Sequence, residues 1–474
     1  MPTMDRLRTL RRETALSVVI LLGAVLSLGA LVFGPRPGML VEDEEEYLNG
    51  AVHLVRSGVH SRAPIEVVDP PPDAYREPGV AATIALAWRL GGVELPSSEP
   101  ELLAAAGNPV RTVHVLVIAI TAAAAGLAAR TLGARPAIAA AVVLFVVSSP
   151  ALRHWAVLAM AEPMTAMLLT IGALASLRAF TSGGGWTWMW AAALAFGTAP
   201  LWRAATIVVL PLVALLPAAR RELSLRRRVA AAMLLLIVAI LPASAWSLRN
   251  AVALGHFQMS DRNGMVMLAR AELDSQIGQE GLAPALLEFA PLHALRQLRT
   301  SRYPTSRLAH FSWTGDGNYW TRAGRQWFDA IEVTGDPLAA NARMARVAVR
   351  RFLEAPADHL VATVATTWRG AFAERAPPWV FPLDDVAIVV VAAFLSLANG
   401  ALLWRSARSR DLRPWLLMAP SIVFFAFHAL ATEGLPRFAA PLLPVAWTGA
   451  LCALDPRCGR RSAPASRGHE ILPP

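Results

Sequence analysis

The sequence predicts an all-α integral membrane protein with about ten transmembrane helices and two extracytoplasmic loops that carry interfacial helices. Hydrophobic residues make up 55% of the 474 residues and charged residues only 16%, which exceeds what the core of a soluble protein needs. Apolar runs recur at lengths close to the roughly 20 residues that cross a bilayer. Arginines cluster between those runs, as the positive-inside rule describes.

The first predicted element is a signal-anchor helix over residues 1–34, whose apolar run follows several arginines and is too long for a cleaved signal peptide. An extracytoplasmic loop, 35–109, separates it from six further helices in 110–247. A larger extracytoplasmic loop, 248–383, precedes the last three helices in 384–454 and a cytoplasmic tail, 455–474. The predicted spans are 14–34, 110–130, 136–151, 163–180, 186–201, 204–219, 229–247, 384–404, 413–432 and 436–454.

The arginine clusters predict the orientation of these spans. The N-terminus, Arg130 with Arg135, Arg220–Arg228, Arg405–Arg413 and Arg457–Arg467 all fall on one side, which is therefore the predicted cytoplasmic side. The chain has no lysine, so its formal charge of +10 is the excess of 44 arginines over 34 acidic residues, and many of the arginines lie in short segments between apolar runs. This pattern follows membrane topology and excludes a nucleic-acid partner.

Both predicted outer loops carry apolar residues at helical spacing. Residues 342–372 predict helices that lie along the membrane interface. Residues 78–93 predict a shorter apolar helix, either interfacial or a shallow span.

An acidic run, Glu42-Asp43-Glu44-Glu45-Glu46, follows the first span and ends at Tyr47. Five adjacent carboxylates at a membrane surface are costly to ionise together, so at least one is expected to have a raised pKa. A carboxylate of that kind suits general-base catalysis. The alternative is a solvated acidic helix start, which the helix dipole favours.

Several short motifs in order along the chain resemble the GT-C glycosyltransferases, a group that includes protein O-mannosyltransferases and lipid A aminoarabinose transferases. The motifs are Asp43-Glu44-x-x-Tyr47, Arg76-x-Pro78-Gly79, Ser149-Pro150, Glu162, Trp202-Arg203, Trp246-x-x-Arg249-Asn250, Gly255, Glu354-Ala355-Pro356 and Arg437-Phe438-x-x-Pro441. The chain departs from the group at Phe438, where Tyr is common, and at Ala245, where Pro is common.

The resemblance implies an enzyme that moves a sugar from a polyprenyl-phosphate donor to an extracytoplasmic acceptor with inversion. The acceptor would be a glycan, a lipid or a protein. One carboxylate must accept the proton of the attacking group, and Asp43 is the candidate, with Glu44 as the alternative in register. Arg203, Arg249 and Arg437 are the candidates for binding the donor phosphate, since arginine's planar fork suits phosphate; the alternative is that they are interfacial arginines.

Further candidates surround these groups. Glu162 is expected to orient the acceptor or assist the first carboxylate, unless it is only a charge at a helix N-terminus. Tyr47, Asn250 and Asp261 are the candidates for substrate binding. No cofactor and no obligatory metal is predicted, although a divalent cation between phosphate and carboxylate is compatible with the pattern.

Two other functions fit a chain of this kind. A lipid or oligosaccharide carrier would place ionisable residues near the midplane, often with repeat symmetry. The ionisable residues here gather at the outer ends of spans, which favours an enzyme. A polymerase or ligase of cell-envelope glycans would have similar outer loops and remains the second alternative. A composition rich in arginine and without lysine suggests a bacterial protein. The predicted location is then the cell membrane, with the active site on the extracytoplasmic side.

Overall fold

The structure, a computed structural model, describes residues 4–32, 40, 43–105, 107–181, 185–220, 222–312, 317–372 and 385–458. Within them every regular element is a helix, so the predicted all-α class is confirmed. The α-helices are α1 Met4–Val32, α2 Glu44–Arg56, α3 Pro78–Gly91, α4 Glu99–Ala105, α5 Asn108–Thr131, α6 Pro136–Ser148, α7 Pro150–Val157, α8 Glu162–Thr181, α9 Gly185–Thr198, α10 Pro211–Leu215, α11 Leu225–Leu254, α12 Asn263–Glu280, α13 Leu282–Phe289, α14 His293–Arg302, α15 Thr305–Ala309, α16 Tyr319–Thr334, α17 Pro337–Glu354, α18 Pro356–Gly370, α19 Asp385–Ser409, α20 Arg413–Ala431, α21 Pro436–Ala439 and α22 Leu443–Ala453. Short 3-10 helices cover Ala199–Leu201, Ala204–Val209, Pro217–Ala219 and Ala440–Leu442.

Six helices in the described residues are long and apolar enough to cross a membrane, namely those containing α1, α5, α8, α11, α19 and α20. The pair α6 and α7, bent by 46°, would form a seventh span. The other predicted spans, 186–201, 204–219 and 436–454, are present as shorter or broken helices. Prolines at 200, 211 and 441 lie at these breaks. A proline inside a helix removes one backbone hydrogen bond and so interrupts the helix. The chain is a multi-pass membrane protein.

The apolar stretch 78–93 forms α3, a helix of 14 residues. Its length of about 21 Å is short of the roughly 30 Å of hydrocarbon in a bilayer. Trp88 and Ile84 are buried, and the indole N–H of Trp88 donates to the carbonyl of Ala105 over 2.8 Å. This helix is therefore too short to span and is packed into the protein.

The segment 248–383 folds in its described part into the helices α12 to α18 around its own core, which includes Leu268, Phe311 and Trp327. The predicted helical region 342–372 corresponds to α17 and α18, which are divided at Ala355. Leu353 and Leu360 are 76% and 63% exposed. Exposed leucines on adjacent amphipathic helices are typical of a surface that lies against lipid.

Close packing brings α2, α3 and the turn after α9 around one cavity. Asp43 immediately precedes α2. A Cβ atom at Gly79 of α3 would lie 2.6 Å from the carbonyl oxygen of Leu201 and from the ring of Trp202, so only glycine permits this approach. The same turn presents Arg203 in an extended conformation, with φ −151° and ψ 104°.

Candidate active site

A polar cavity of about 350 Å³ lies where α2, α3, α12 and the end of α20 meet. Charged side chains line it together with aromatic ones. The charged lining residues are Asp43, Arg76, Glu77, Arg203, Arg262, Glu433 and Arg437, and the aromatic ones are Tyr47, Tyr75, Trp202, Trp320, Phe427, His428 and Phe438. This mixture is typical of a site that binds a charged and polar ligand.

Three arginines surround the carboxylate of Asp43. Nη2 of Arg76 lies 2.5 Å from Oδ1, and Nη2 of Arg437 lies 3.1 Å from Oδ2. Nη1 of Arg262 is 3.8 Å from the same Oδ2. Arg76 also pairs with Glu46. The lining as a whole holds four arginines and three acidic residues, and three of those arginines lie around the Asp43 carboxylate.

This arrangement determines the protonation of Asp43. Burial alone would raise the pKa of its carboxyl group, but Arg437, Arg76 and Arg262 outweigh burial and hold the pKa well below its usual range. The raised pKa that was expected for at least one carboxylate of the acidic run does not fall on Asp43, because neighbouring cations oppose it. Glu42 lies outside the described residues.

Glu44, the alternative to Asp43, points elsewhere. It is fully buried, and its Oε1 accepts a hydrogen bond of 2.7 Å from the backbone N–H of Ala159. It is absent from the cavity lining, whereas Asp43 is part of that lining. The two adjacent carboxylates therefore have different surroundings. Asp43 faces the arginines, and Glu44 binds the segment before α8.

Arg203 and Glu162 form a second ion pair at the cavity. Nη2 of Arg203 lies 2.5 Å from Oε1 of Glu162, which is fully buried at the start of α8. The other oxygen, Oε2, has no hydrogen-bond partner within the described residues. The Arg203 guanidinium stands 5.0 Å from the ring centroid of Phe438, and Arg437 stands 5.3 Å from the same ring. Two of the three predicted phosphate-binding arginines therefore share this cavity.

Tyr47 lines the cavity beside these charges. It is 5% exposed, and the Arg76 guanidinium lies 5.3 Å from its ring centroid. Burial raises the pKa of Tyr47, so its hydroxyl stays protonated and can donate a hydrogen bond. Trp202 is fixed nearby through its indole N–H, which donates to the hydroxyl of Thr83 over 3.1 Å.

Arg249, Asn250 and Asp261 lie together but outside the cavity lining. Nη1 of Arg249 donates to the carbonyl of Asp73 and to Oδ1 of Asn250, both at 3.0 Å. The side-chain amide of Asn250 donates to the carbonyl of Gln258 over 2.7 Å. Burial, followed by the charge of Asp73, raises the pKa of Asp261 to about 6. These residues join the end of α11 to the loop before α3.

Sequence reasoning did not assign several residues of the cavity. Arg76 belongs to a motif noted for its resemblance only, and Arg262 follows Asp261 without any motif. His428 lies within an apolar helix, and Glu433 lies two residues after the end of that helix. Charge placement would not have found them, because Arg76 and Arg262 are two among many arginines in the predicted outer loops 35–109 and 248–383. In the described residues no group of three or more His, Cys, Asp or Glu side chains is arranged to hold a metal ion.

No protein-family model and no curated protein sequence matches the chain. Two solved structures of ArnT from Cupriavidus metallidurans, a lipid A aminoarabinose transferase, are similar to it. The structure bound to undecaprenyl phosphate has 15% identity and a TM-score of 0.36, over 93% of this chain and 76% of that one. The apo structure has 17% identity and a TM-score of 0.36, over 92% and 78%.

ArnT belongs to the GT-C group.

Proposed function

We propose that the protein is a GT-C-type glycosyltransferase that moves a sugar from a polyprenyl phosphate to an extracytoplasmic acceptor with inversion. One observation carries the proposal: Asp43, a carboxylate that lines the polar cavity, has the guanidinium groups of three arginines 2.5–3.8 Å away. Acid–base chemistry beside a phosphate needs these two features together. The compartment supports the donor class, since nucleotide sugars are not normally supplied outside the cytoplasmic membrane.

The reaction assigns a role to each group. The acceptor oxygen or nitrogen attacks the anomeric carbon on the face opposite the phosphate, and the bond from that carbon to the phosphate oxygen breaks. Asp43 takes the proton of the attacking group. Arg437, Arg203 and Arg262 stabilise the negative charge that grows on the leaving phosphate, because guanidinium groups pair with phosphate through two parallel hydrogen bonds.

The low pKa of Asp43 fits this order of events. In the free protein, Arg437 and Arg76 bind the carboxylate and make it a weak base. An arriving phosphate competes for the same guanidinium groups and adds a negative charge nearby, and both effects raise the pKa of Asp43. The carboxylate therefore becomes a better proton acceptor once the donor is bound.

An apolar cavity of about 610 Å³ supports a lipid donor. It lies between α18, α19, α20 and α22, and none of its lining residues in the described part of the chain is ionisable. α20 separates the two cavities, with Phe425 and Ala429 facing the apolar one and Phe427 and His428 facing the polar one. An isoprenoid chain placed here would leave its phosphate near Arg437, at the start of the next helix.

The test is sugar transfer by the protein reconstituted in liposomes, supplied with labelled polyprenyl-phosphate monosaccharides and crude envelope acceptors. Asp43→Asn is compared with Glu45→Gln, which removes an exposed carboxylate from the same acidic run. Transfer or donor hydrolysis that disappears in Asp43→Asn and persists in Glu45→Gln supports the proposal.

The contrary result is a folded protein that turns over no monosaccharide donor. Lipid-linked oligosaccharides would then be tried, and turnover of these alone would assign the protein to the glycan polymerases and ligases. Movement of a lipid-linked sugar across the liposome without transfer would identify a carrier.

A further inference from the structure

One wall of the polar cavity is formed by the end of α20 and the residues after it, and two of its polar atoms lack partners. His428 is 6% exposed and Glu433 1% exposed, and both line the cavity. Nε2 of His428 and Oε2 of Glu433 are buried without a hydrogen-bond partner in the described part of the chain. Buried polar atoms are normally paired, so two such atoms on one wall point to a ligand that completes them.

The hydrogen bonds of Thr432 determine which nitrogen of His428 carries the proton. The Thr432 hydroxyl donates its single hydrogen to the carbonyl of His428 over 2.8 Å. The same oxygen accepts from the N–H of Gly434 at 3.3 Å and lies 3.2 Å from Nδ1 of His428. Since the hydroxyl has no second hydrogen, Nδ1 must be the donor in that contact. In the neutral ring Nε2 is then an acceptor with a free lone pair.

The ring of His428 is held in place. It stacks on Phe438 with centroids 4.7 Å apart and an angle of 23°, and Phe424 meets it edge-on at 4.5 Å. Phe438 itself lies near the guanidinium groups of Arg203 and Arg437. The acceptor atom is therefore fixed on the wall beside the arginines to which the proposed function assigns the phosphate.

Glu433 adds a second polar group to this wall. Burial raises the pKa of its carboxyl group, with Arg369, Arg437 and Arg262 acting in the opposite direction. Its Oε2, buried without a partner in the described part of the chain, can accept a hydrogen bond. Hydroxyl groups of a sugar, which donate hydrogen bonds, match two acceptor atoms on one wall better than a second anion does.

We propose that Nε2 of His428 accepts a hydrogen bond from one hydroxyl group of a bound substrate, and that this contact selects that substrate. The inference rests on the proposed function and adds a specificity-determining residue to it. The hydroxyl belongs either to the sugar of the donor or to the acceptor, and the two sources are distinguished by deoxy analogues of each.

Three variants of His428 distinguish the hydrogen bond at Nε2 from the packing of the ring. His428→Asn keeps a donor near the position of Nδ1 but has no acceptor at Nε2, and His428→Phe keeps the stacked ring without either nitrogen. His428→Gln places an amide oxygen near Nε2. The measurement is kcat/KM for the intact substrates and for each monodeoxy analogue in the liposome assay. Thermal unfolding identifies which variants fold, and either His428→Asn or His428→Phe suffices.

In the wild type one deoxy analogue is expected to lose about 10- to 100-fold in kcat/KM, because it leaves Nε2 unpaired. In His428→Asn or His428→Phe the intact substrate falls to that level, and removal of that hydroxyl has no further effect. Losses with the other deoxy analogues stay unchanged, and His428→Gln recovers part of the discrimination. The affected analogue, donor or acceptor, names the source of the hydroxyl.

Persistence of every deoxy penalty in the Asn and Phe variants would overturn the inference and leave the proposed function intact. A wild-type protein that transfers no sugar at all would overturn both. The wild-type activity measured in the same assay distinguishes these two failures.

Discussion

Replacing Asp43 by Asn should separate donor binding from chemistry. The substitution keeps the size of the side chain and removes its charge, so Arg76 and Arg437 lose the anion that lies 2.5 Å and 3.1 Å from them. A polyprenyl phosphate then no longer competes with the carboxylate for these groups. Donor binding is expected to become tighter while transfer is lost.

The magnitude follows from these contacts. A hydrogen bond to a charged group contributes about 1.5–3 kcal/mol, and the phosphate must take over at least the contact of Arg437. Removal of that competition corresponds to roughly 10- to 100-fold in the dissociation constant. Loss of the proton acceptor lowers the transfer rate by about 10² to 10⁴.

Binding of polyprenyl phosphate can be followed through tryptophan fluorescence, since Trp202 and Trp320 line the cavity. Single-turnover transfer at saturating donor gives the rate separately. Weaker donor binding together with lost transfer in a folded variant would show that Asp43 holds the arginines in place and is not the base. Unchanged transfer would remove Asp43 from the mechanism altogether.

Arg203→Ala leaves the fully buried Glu162 unpaired and should lower the free energy of unfolding by about 3–5 kcal/mol. Thermal unfolding measures the loss. If the unpaired charge is the cause, the double variant with Glu162→Gln should recover most of the lost stability. Asp261 has a pKa of about 6 against an ordinary 3.8, so its folded form holds the proton more tightly and stability falls as pH rises from about 4 to 6. Asp261→Asn should therefore be more stable at pH 7, by about 3 kcal/mol at most, and a pH series of unfolding temperatures that keeps the wild-type slope would refute this. Ser301→Cys should react with an impermeant thiol reagent in intact cells and Ala407→Cys only after permeabilisation; the reverse pattern would invert the proposed topology.

Local sequence was sufficient for the helical class and for repeated apolar helices. Hydropathy over about 20 residues determines whether a segment prefers lipid, so this property can be read without neighbours. The side on which each loop lies, inferred from arginine placement, stays a prediction. Within the described residues six helices, or seven with the bent pair, are long and apolar enough to cross a membrane, and the other predicted spans contain breaks. Apolar composition alone does not show where prolines such as Pro200 and Pro441 divide a helix.

The acidic run before α2 and the outer arginines could be predicted as candidates, but their partners could not. Asp43 meets Arg437 across 394 residues of sequence, and Glu162 meets Arg203 across 41. Arg249, predicted to join them, instead binds the carbonyl of Asp73 outside the cavity. Which contacts form depends on how each helix is rotated about its axis, and many rotations are compatible with one hydropathy pattern.

The sequence by itself determined that this chain enters the membrane repeatedly and carries carboxylates and arginines at one end of its spans. Only the tertiary structure decided that Asp43 rather than Glu44 faces the cavity, and that Arg76 and Arg262 join Arg437 around it. The physical reason is that the tendency of a segment to span a membrane depends on the summed hydropathy of its own residues. Charge pairing is a property of distances between segments, which packing alone sets.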